Sequence, residues 1–178
     1  MLAACGGDSD SGSTAANTDL VPAGEKAAQN AAEDVTPLGE LVEVDAQTRF
    51  TVTGFKVNSS DSLGPWIEAS VRGEANDDAG AIPFEIAILC ASSTETGGWQ
   101  ADSTVSLGQE IPAGSFLEGF ISLLLPEDGR YGEPIKPCEE PALVKVSSSE
   151  KTVWFAIPSD VVAEINSAAE TLNSTLGS

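Results

Sequence analysis

Short segments of alternating apolar and polar residues, separated by turn residues, run through most of this chain. In residues 84–90 the side chains of Phe84, Ile86, Ile88 and Cys90 share one face, because successive residues of a strand point to opposite sides of a sheet. About eight such segments, with turn signals every 8–12 residues, are typical of an antiparallel β-sandwich. No strand alternates with a helix, so the pattern does not favour a parallel α/β sheet.

The predicted strands differ in how clearly they alternate. Residues 99–107 alternate least clearly. In residues 50–57 the apolar parity changes across Gly54: the apolar residues have even numbers before it and odd numbers after it, which predicts a β-bulge. Residues 142–146 and 152–157 predict a closing hairpin. The full set of predicted strands is 41–44, 50–57, 66–74, 84–90, 99–107, 115–125, 142–146 and 152–157.

The two ends of the chain differ from this middle part. Residues 1–38 have almost no large apolar side chains, so we expect a disordered polar tether, in which a helix near residues 23–34 is only marginal. The sandwich is expected over residues 39–158. Residues 159–178 predict an amphipathic helix, with Ser159 as its N-cap and apolar residues at intervals of three to four.

Residues 2–6, Leu-Ala-Ala-Cys-Gly, resemble a bacterial lipobox, in which the cysteine thiol receives a diacylglycerol. Small residues before Cys5 suit the groove of a signal peptidase, and a polar Gly/Ser/Asp segment follows. We expect Cys5 to be the lipid attachment site; the alternative is a free thiol in a disordered tail. A signal peptide also needs a charged n-region and an apolar h-region. We therefore expect that the natural start lies upstream of Met1 or that the chain has been shortened.

With Cys5 assigned to lipid, Cys90 and Cys138 form an even pair in a secreted context. Cys90 ends a strand on its core-facing side, and Cys138 lies in a proline-rich connection. We predict a structural disulfide between them, and two separate buried thiols are the alternative. Both assignments place the domain in an extracytoplasmic compartment, anchored to the cell membrane.

The charge and composition exclude several functions. The formal net charge is −20, from 28 acidic and 8 basic side chains, so nucleic acid is not an expected partner. Histidine is absent, which removes the commonest general base and zinc ligand. No stretch approaches the roughly 18 apolar residues of a membrane-spanning helix.

Some acidic and aromatic residues are nevertheless candidates for chemistry or recognition. Three acid pairs, at 77–78, 127–128 and 139–140, fall in predicted turns. A carboxylate hydrolase would need two of these carboxylates to face each other across a cleft. Asp77 and Asp78 could also contribute to a calcium site, although no EF-hand spacing is present. Trp99, after two glycines, is the best candidate for an exposed aromatic recognition residue. We expect no metal, no cofactor and no catalytic residue.

Several turn-and-strand motifs resemble a known family. They are residues 50–55, Phe-Thr-Val-Thr-Gly-Phe; residues 111–119, Ile-Pro-Ala-Gly-Ser-Phe-Leu-Glu-Gly; residues 125–129, Leu-Pro-Glu-Asp-Gly; and residues 153–158, Val-Trp-Phe-Ala-Ile-Pro. This arrangement is similar to the immunoglobulin-like domain of secreted actinobacterial lipoproteins, a group similar in architecture to the mycobacterial immunoprotective extracellular antigen. The resemblance implies an immunoglobulin-like sandwich and an extracytoplasmic location, and no catalytic residue.

The sequence thus predicts an all-β chain: an immunoglobulin-like antiparallel β-sandwich with a C-terminal helix and a disordered N-terminal tether. Its expected role is that of a cell-surface lipoprotein that presents a non-enzymatic module to a protein or an envelope polymer. A carboxylate-based, glycosidase-like hydrolase and a small-ligand or calcium sensor are the alternatives. Asp77, Asp78 and Trp99 are the candidate recognition residues.

Overall fold

A computed structural model describes residues 23–60, 64–93, 97–98, 103–125 and 134–176. In chain order the elements are α1 (Ala23–Ala32), β1 (Val35–Thr36), β2 (Val42–Glu43), β3 (Thr48–Ser60), β4 (Gly64–Ala75), β5 (Gly80–Ala81), β6 (Glu85–Cys90), β7 (Glu110–Ile111), β8 (Phe116–Leu124), β9 (Ala142–Ser147), β10 (Thr152–Ala156) and α2 (Ser159–Leu176).

Two four-stranded sheets form the sandwich. One has the order β1-β10-β9-β6 and the other β2-β3-β4-β8, while β5 and β7 pair separately. In chain order β3, β4 and β8 correspond to strands A, B and E of an immunoglobulin domain, and β6, β9 and β10 to strands C, F and G. The pairs are antiparallel except β1 with β10, which is parallel. The predicted immunoglobulin-like sandwich is therefore confirmed.

The alternation within each strand fills the space between the sheets. Every second residue turns inward, and the inward side chains of β3, β4 and β8 pack against those of β6, β9 and β10. The largest fully buried side chains of this core include Phe50, Ile67, Ile121, Leu123, Ile86, Ile88 and Phe155. Phe84 was predicted to share the inward face of β6, but the strand begins at Glu85. The side chain of Phe84 is 71% exposed, and its ring packs against Gly108.

The predicted bulge in β3 is present. The β3–β4 register shifts between Val52 and Gly54, so Thr53 is an extra residue with no cross-strand partner in β4. Val52 pairs with Val71 and Phe55 with Ala69, and both pairs lie on the inward face. The bulge therefore reconciles the change of apolar parity in the sequence with a strand whose apolar side chains all point to the core.

The predicted strand at 99–107 is not formed in its described part, residues 103–107. Residues 103 and 104 instead lie beside β8 and hydrogen-bond to it through both side chains and through the amide of Thr104, which donates to the carbonyl of Phe120. The amide of Phe120 donates to Oγ1 of Thr104, and the amide of Ser122 donates to Oγ of Ser103. Trp99 lies outside the described residues.

The prediction of a disordered tether over residues 1–38 is wrong for its described part, residues 23–38. α1 is formed, and its Ala28 and Ala31 are buried against the outer side of the β6 sheet near Leu89. β1 then pairs with Trp154 and Phe155 of β10. Alanine has the highest helix propensity, and its small side chain lets a helix lie close to a sheet. Tertiary contact thus orders a segment that lacks large apolar residues, while residues 1–22 lie outside the described range.

The predicted C-terminal helix is confirmed as α2, which packs against β3 and β4 through its buried Val162, Ile165 and Ala169. Ser159 does not act as the predicted N-cap. Its hydroxyl donates to Oε2 of Glu140, and the first helical hydrogen bond runs from the amide of Val162 to the carbonyl of Pro158.

The bulge gives a test of the register. Deleting Thr53 should leave the domain folded, with the free energy of unfolding lowered by about 1–2 kcal/mol, because the strand then pairs continuously with unchanged inward residues. Denaturant titration followed by circular dichroism measures this change.

Deletion of Ser70 from the facing strand β4 is the matched comparison. It should abolish cooperative folding, since β4 has no extra residue there and the deletion turns Ile67 and Ala69 outward and Glu68 inward. Equal effects of the two deletions would contradict the proposed register.

Candidate functional site

The disulfide between Cys90 and Cys138 is the first structural feature among the predicted site residues. Their Cα atoms are 5.2 Å apart, within the usual range for this bond, and the two residues are 1% and 4% exposed. The bond joins the end of β6 to the proline-rich connection before β9. The structure therefore contradicts the alternative of two separate buried thiols. A disulfide of this kind is typical of an oxidising, extracytoplasmic compartment.

Two asparagines of α2 hold the same connection by paired hydrogen bonds. The side-chain amide of Asn166 accepts from the amide of Cys138 at 2.8 Å and donates to the carbonyl of Cys138 at 2.9 Å. Asn173, two helical turns later, makes the same pair of bonds with Ile135, both at 2.9 Å. Because Ile135 and Cys138 are buried, these bonds satisfy backbone groups that water does not reach.

The acidic candidates do not form a site in the described part of the chain. Asp77 and Asp78 are exposed in the turn between β4 and β5. Within the described ranges, no three acidic or cysteine side chains could together hold a metal ion. Glu139 and Glu140 are exposed. Cys5 and the acid pair at 127–128 lie outside the described residues, as Trp99 does.

Charged side chains instead come together on the outer face of β3, β4 and β8. Arg49 pairs with Glu74 at 2.6 Å, and Arg72 pairs with both Glu74 and Glu118 at 2.7 Å. Their positions follow from the strand alternation, since the neighbouring residues in sequence face the core. The antiparallel register places Arg49 opposite Glu74 and Arg72 opposite Glu118. We call these four residues and Phe116 the Arg72 cluster.

Phe116 completes the Arg72 cluster. The guanidinium carbon of Arg72 lies 4.1 Å from the centroid of the Phe116 ring, which is the geometry of a cation–π contact. The ring is nevertheless 52% exposed. An apolar ring is thus available to solvent while one of its faces is held against a fixed charge.

The carboxylates of the cluster orient the guanidinium of Arg72. The hydrogen bond to Glu118, followed by the hydrogen bond to Glu74 and the charges of both carboxylates, raises the pKa of Arg72 above its ordinary value. Two arginines and two glutamates cancel, so the cluster is neutral on a chain whose net charge is −20. Exposed ion pairs of this kind add little to stability, so their main effect is to fix side-chain positions.

Two clefts elsewhere bear on the alternative functions. One between α2 and the β3–β4 hairpin, lined by Gly64, Pro65 and Leu172 among others, has a volume of about 110 Å³. This is below the roughly 300–1,000 Å³ of ligand pockets. A second, of about 290 Å³, is lined by Glu43, Asp45, Glu150 and Lys151. Asp45 accepts the amides of residues 47 and 48 and thus stabilises its own turn.

Sequence reasoning missed both the Arg72 cluster and the asparagine pair. Glu118, the partner of Arg72, is 46 residues away in the sequence, so only the pairing of β4 with β8 identifies it. The asparagines carried a readable signal. Asn166 and Asn173 are seven residues apart and therefore lie on one side of α2, next to its apolar stripe.

Comparison with known proteins does not identify a family for this chain. No family model matches the chain, and no curated protein matches it in sequence. One similar solved structure is that of an uncharacterized beta-sandwich protein from Clostridium difficile 630. The TM-score is 0.44 and the sequence identity 8%, over 70% of this chain and 95% of that one. The resemblance to actinobacterial lipoproteins therefore stays an expectation.

The disulfide and the asparagine pair allow a double-mutant test. Replacing both Cys90 and Cys138 by serine should lower the free energy of unfolding by about 2–5 kcal/mol, because a cross-link across 48 residues restricts the unfolded chain. Asn166→Ala alone should lower it by about 1–3 kcal/mol, because buried backbone groups of Cys138 lose their partner.

In the protein without the disulfide, Asn166→Ala should lower the free energy of unfolding by less than it does in the disulfide-bonded protein. The difference should be about 0.5 kcal/mol or more, since the connection can then move into water. Glu170→Ala, at an exposed site on the same helix, is the control and should change stability by less than about 0.5 kcal/mol. Strict additivity of the disulfide and Asn166 changes would contradict a shared fastening role.

Proposed function

We propose that this chain is a cell-surface lipoprotein that presents a non-enzymatic immunoglobulin-like module to a protein or polymer of the cell envelope. The proposed binding surface is the Arg72 cluster on the outer face of β3, β4 and β8. The observation that carries this proposal is the half-exposed Phe116 ring, held against Arg72 on the outer face of the sheet.

The chemistry of the cluster supports a role in recognition. Aromatic residues and arginine are enriched in protein interfaces, where a few central residues contribute most of the binding energy. Arg72 has its guanidinium fixed by Glu74 and Glu118, and Phe116 has one face against it. Side chains that are already ordered lose little conformational entropy on binding, so such a surface needs less contact area for a given affinity.

The charge of the chain supports a partner of a particular kind. The Arg72 cluster is neutral, while the surrounding chain has a formal charge of −20. A partner with an apolar or aromatic centre and positive charge at its periphery would match both parts of this surface. Association should accordingly weaken as the salt concentration rises.

Two further observations support the envelope location. The Cys90–Cys138 disulfide indicates an oxidising compartment. The lipobox-like residues 2–6 supply a lipid attachment site at Cys5. A single acyl chain anchors a protein only marginally, so stable retention requires at least two acyl chains.

Among the described residues no helix has the length and hydrophobicity that a membrane crossing requires.

Binding to envelope material tests the proposed surface. Phe116→Ser should weaken co-sedimentation of the purified protein with isolated envelopes of the source bacterium by about tenfold or more, because the apolar anchor is lost. Arg72→Lys should also weaken binding, since lysine keeps the charge but loses the planar fork that pairs with both glutamates.

Phe84→Ser is the matched control, because Phe84 is more exposed than Phe116, at 71% against 52%, and lies outside the cluster. Equal losses for the two phenylalanine variants would indicate unspecific adhesion and sink the proposed surface. Release of reducing sugar ends from the envelopes by the unaltered protein would instead favour the hydrolase alternative.

The lipid anchor has its own test in the source bacterium. With the natural upstream sequence present, the unaltered protein should fractionate with membranes, and Cys5→Ser should appear in the soluble extracytoplasmic fraction or the medium. Ser9→Cys combined with Cys5→Ser should not restore membrane association, because the thiol is no longer in the lipobox. Membrane retention of the Cys5→Ser protein would contradict anchoring at this residue.

A further inference from the structure

α1 covers part of the outer face of the β6-β9-β10 sheet. It contacts all three strands, with Ala28 fully buried and Ala31 5% exposed. Ala28 packs in a cluster with Leu89 and Ala91, against which Trp154 also lies. Leu143 is directly opposite Leu89 in the register and faces the same side of the sheet. The helix therefore covers an apolar area with an aromatic ring at its border.

Few interactions hold α1 in this place. Its buried contacts are alanine methyl groups, which remove little apolar area from water. Among residues 25–32, the side-chain hydrogen bond runs within the helix, from Gln29 to Glu25, and no side chain of this range bonds or ion-pairs with the sheet. An isolated helix of ten residues is marginal in water.

The contrast with α2 is large. α2 has eighteen residues, buries Val162, Ile165 and Ala169, and is bonded to the disulfide-linked connection through Asn166 and Asn173. Within residues 25–32, α1 has neither large buried side chains nor side-chain hydrogen bonds or ion pairs to the sandwich. The two helices therefore belong to opposite ends of the range of local stabilities within one domain.

We propose that α1 is a detachable strap, which leaves the sheet while the sandwich stays folded. Its release exposes the apolar side chains of Leu89 and Leu143, next to Trp154, to solvent. β1 is the point at which the released segment stays attached, because Val35 and Thr36 are paired with β10.

The release also changes the reach of the N-terminal segment. Freed residues 23–34 add about 40 Å to the fully extended chain between Cys5 and the sandwich. In the lipid-anchored protein, the docked strap keeps the domain nearer the membrane and the released strap lets it extend. This consequence rests on the anchor proposed above, whereas the release itself does not.

Hydrogen exchange of the full chain, followed by mass spectrometry, tests the strap without any lipid. The amides of residues 27–32 should exchange about 100-fold or more faster than those of β9, because they open without unfolding of the sandwich. Ala28→Glu should accelerate exchange of these helical amides a further tenfold or more and leave β9 unchanged, since a charge at a fully buried site prevents docking.

Ala27→Glu is the matched control, because it places the same side chain at the neighbouring exposed position of the same helix. It should change exchange of the helical amides by no more than about twofold. Equal exchange rates for α1 and β9 in the unaltered protein would overturn the strap, as would an equal acceleration of β9 by Ala28→Glu. Failure of this test leaves the anchor at Cys5 untouched, and loss of the anchor leaves the strap untouched.

Discussion

The connection at residues 135–138 is fastened on two sides, and the arrangement of the domain depends on it. The disulfide from Cys138 attaches it to the end of β6, and the amides of Asn166 and Asn173 attach it to α2. α2 in turn packs on β3 and β4 of the other sheet. One short segment thus links a strand of the first sheet, the terminal helix and the second sheet.

This fastening leaves the two outer faces of the sandwich for other roles. The face of β3, β4 and β8 carries the Arg72 cluster, whose charges cancel and whose aromatic ring is half-exposed. The face of β6, β9 and β10 has an apolar area at Leu89 and Leu143, over which α1 lies with the buried methyl group of Ala28. The first face suits a partner that binds a preformed surface, and the second is accessible only after α1 moves.

The sequence predicted those features that depend on local pattern. Strand alternation and turn residues identified the sandwich, the parity change at Gly54 identified the bulge, and cysteine number and context identified the disulfide pair. It gave α1 only as a marginal helix in a disordered tether, because burial of Ala28 depends on Leu89, which lies about sixty residues further along the chain. The sequence did not predict the Arg72 cluster for the same reason, since only strand pairing brings Glu118 next to Arg72. Features that arise from contacts between residues far apart in the sequence are not visible in a local pattern.

The central claim is that this is an extracytoplasmic, lipid-anchored sandwich closed by one disulfide, and the state of its three cysteines in native protein tests that claim most directly. Denatured protein from the envelope of the source bacterium would be alkylated before and after reduction, and its cysteine peptides analysed by mass spectrometry. The account predicts that Cys90 and Cys138 are alkylated only after reduction, and that Cys5 is alkylated in neither sample because its sulfur carries the lipid. Alkylation of Cys90 or Cys138 before reduction, or of Cys5 in either sample, would contradict it.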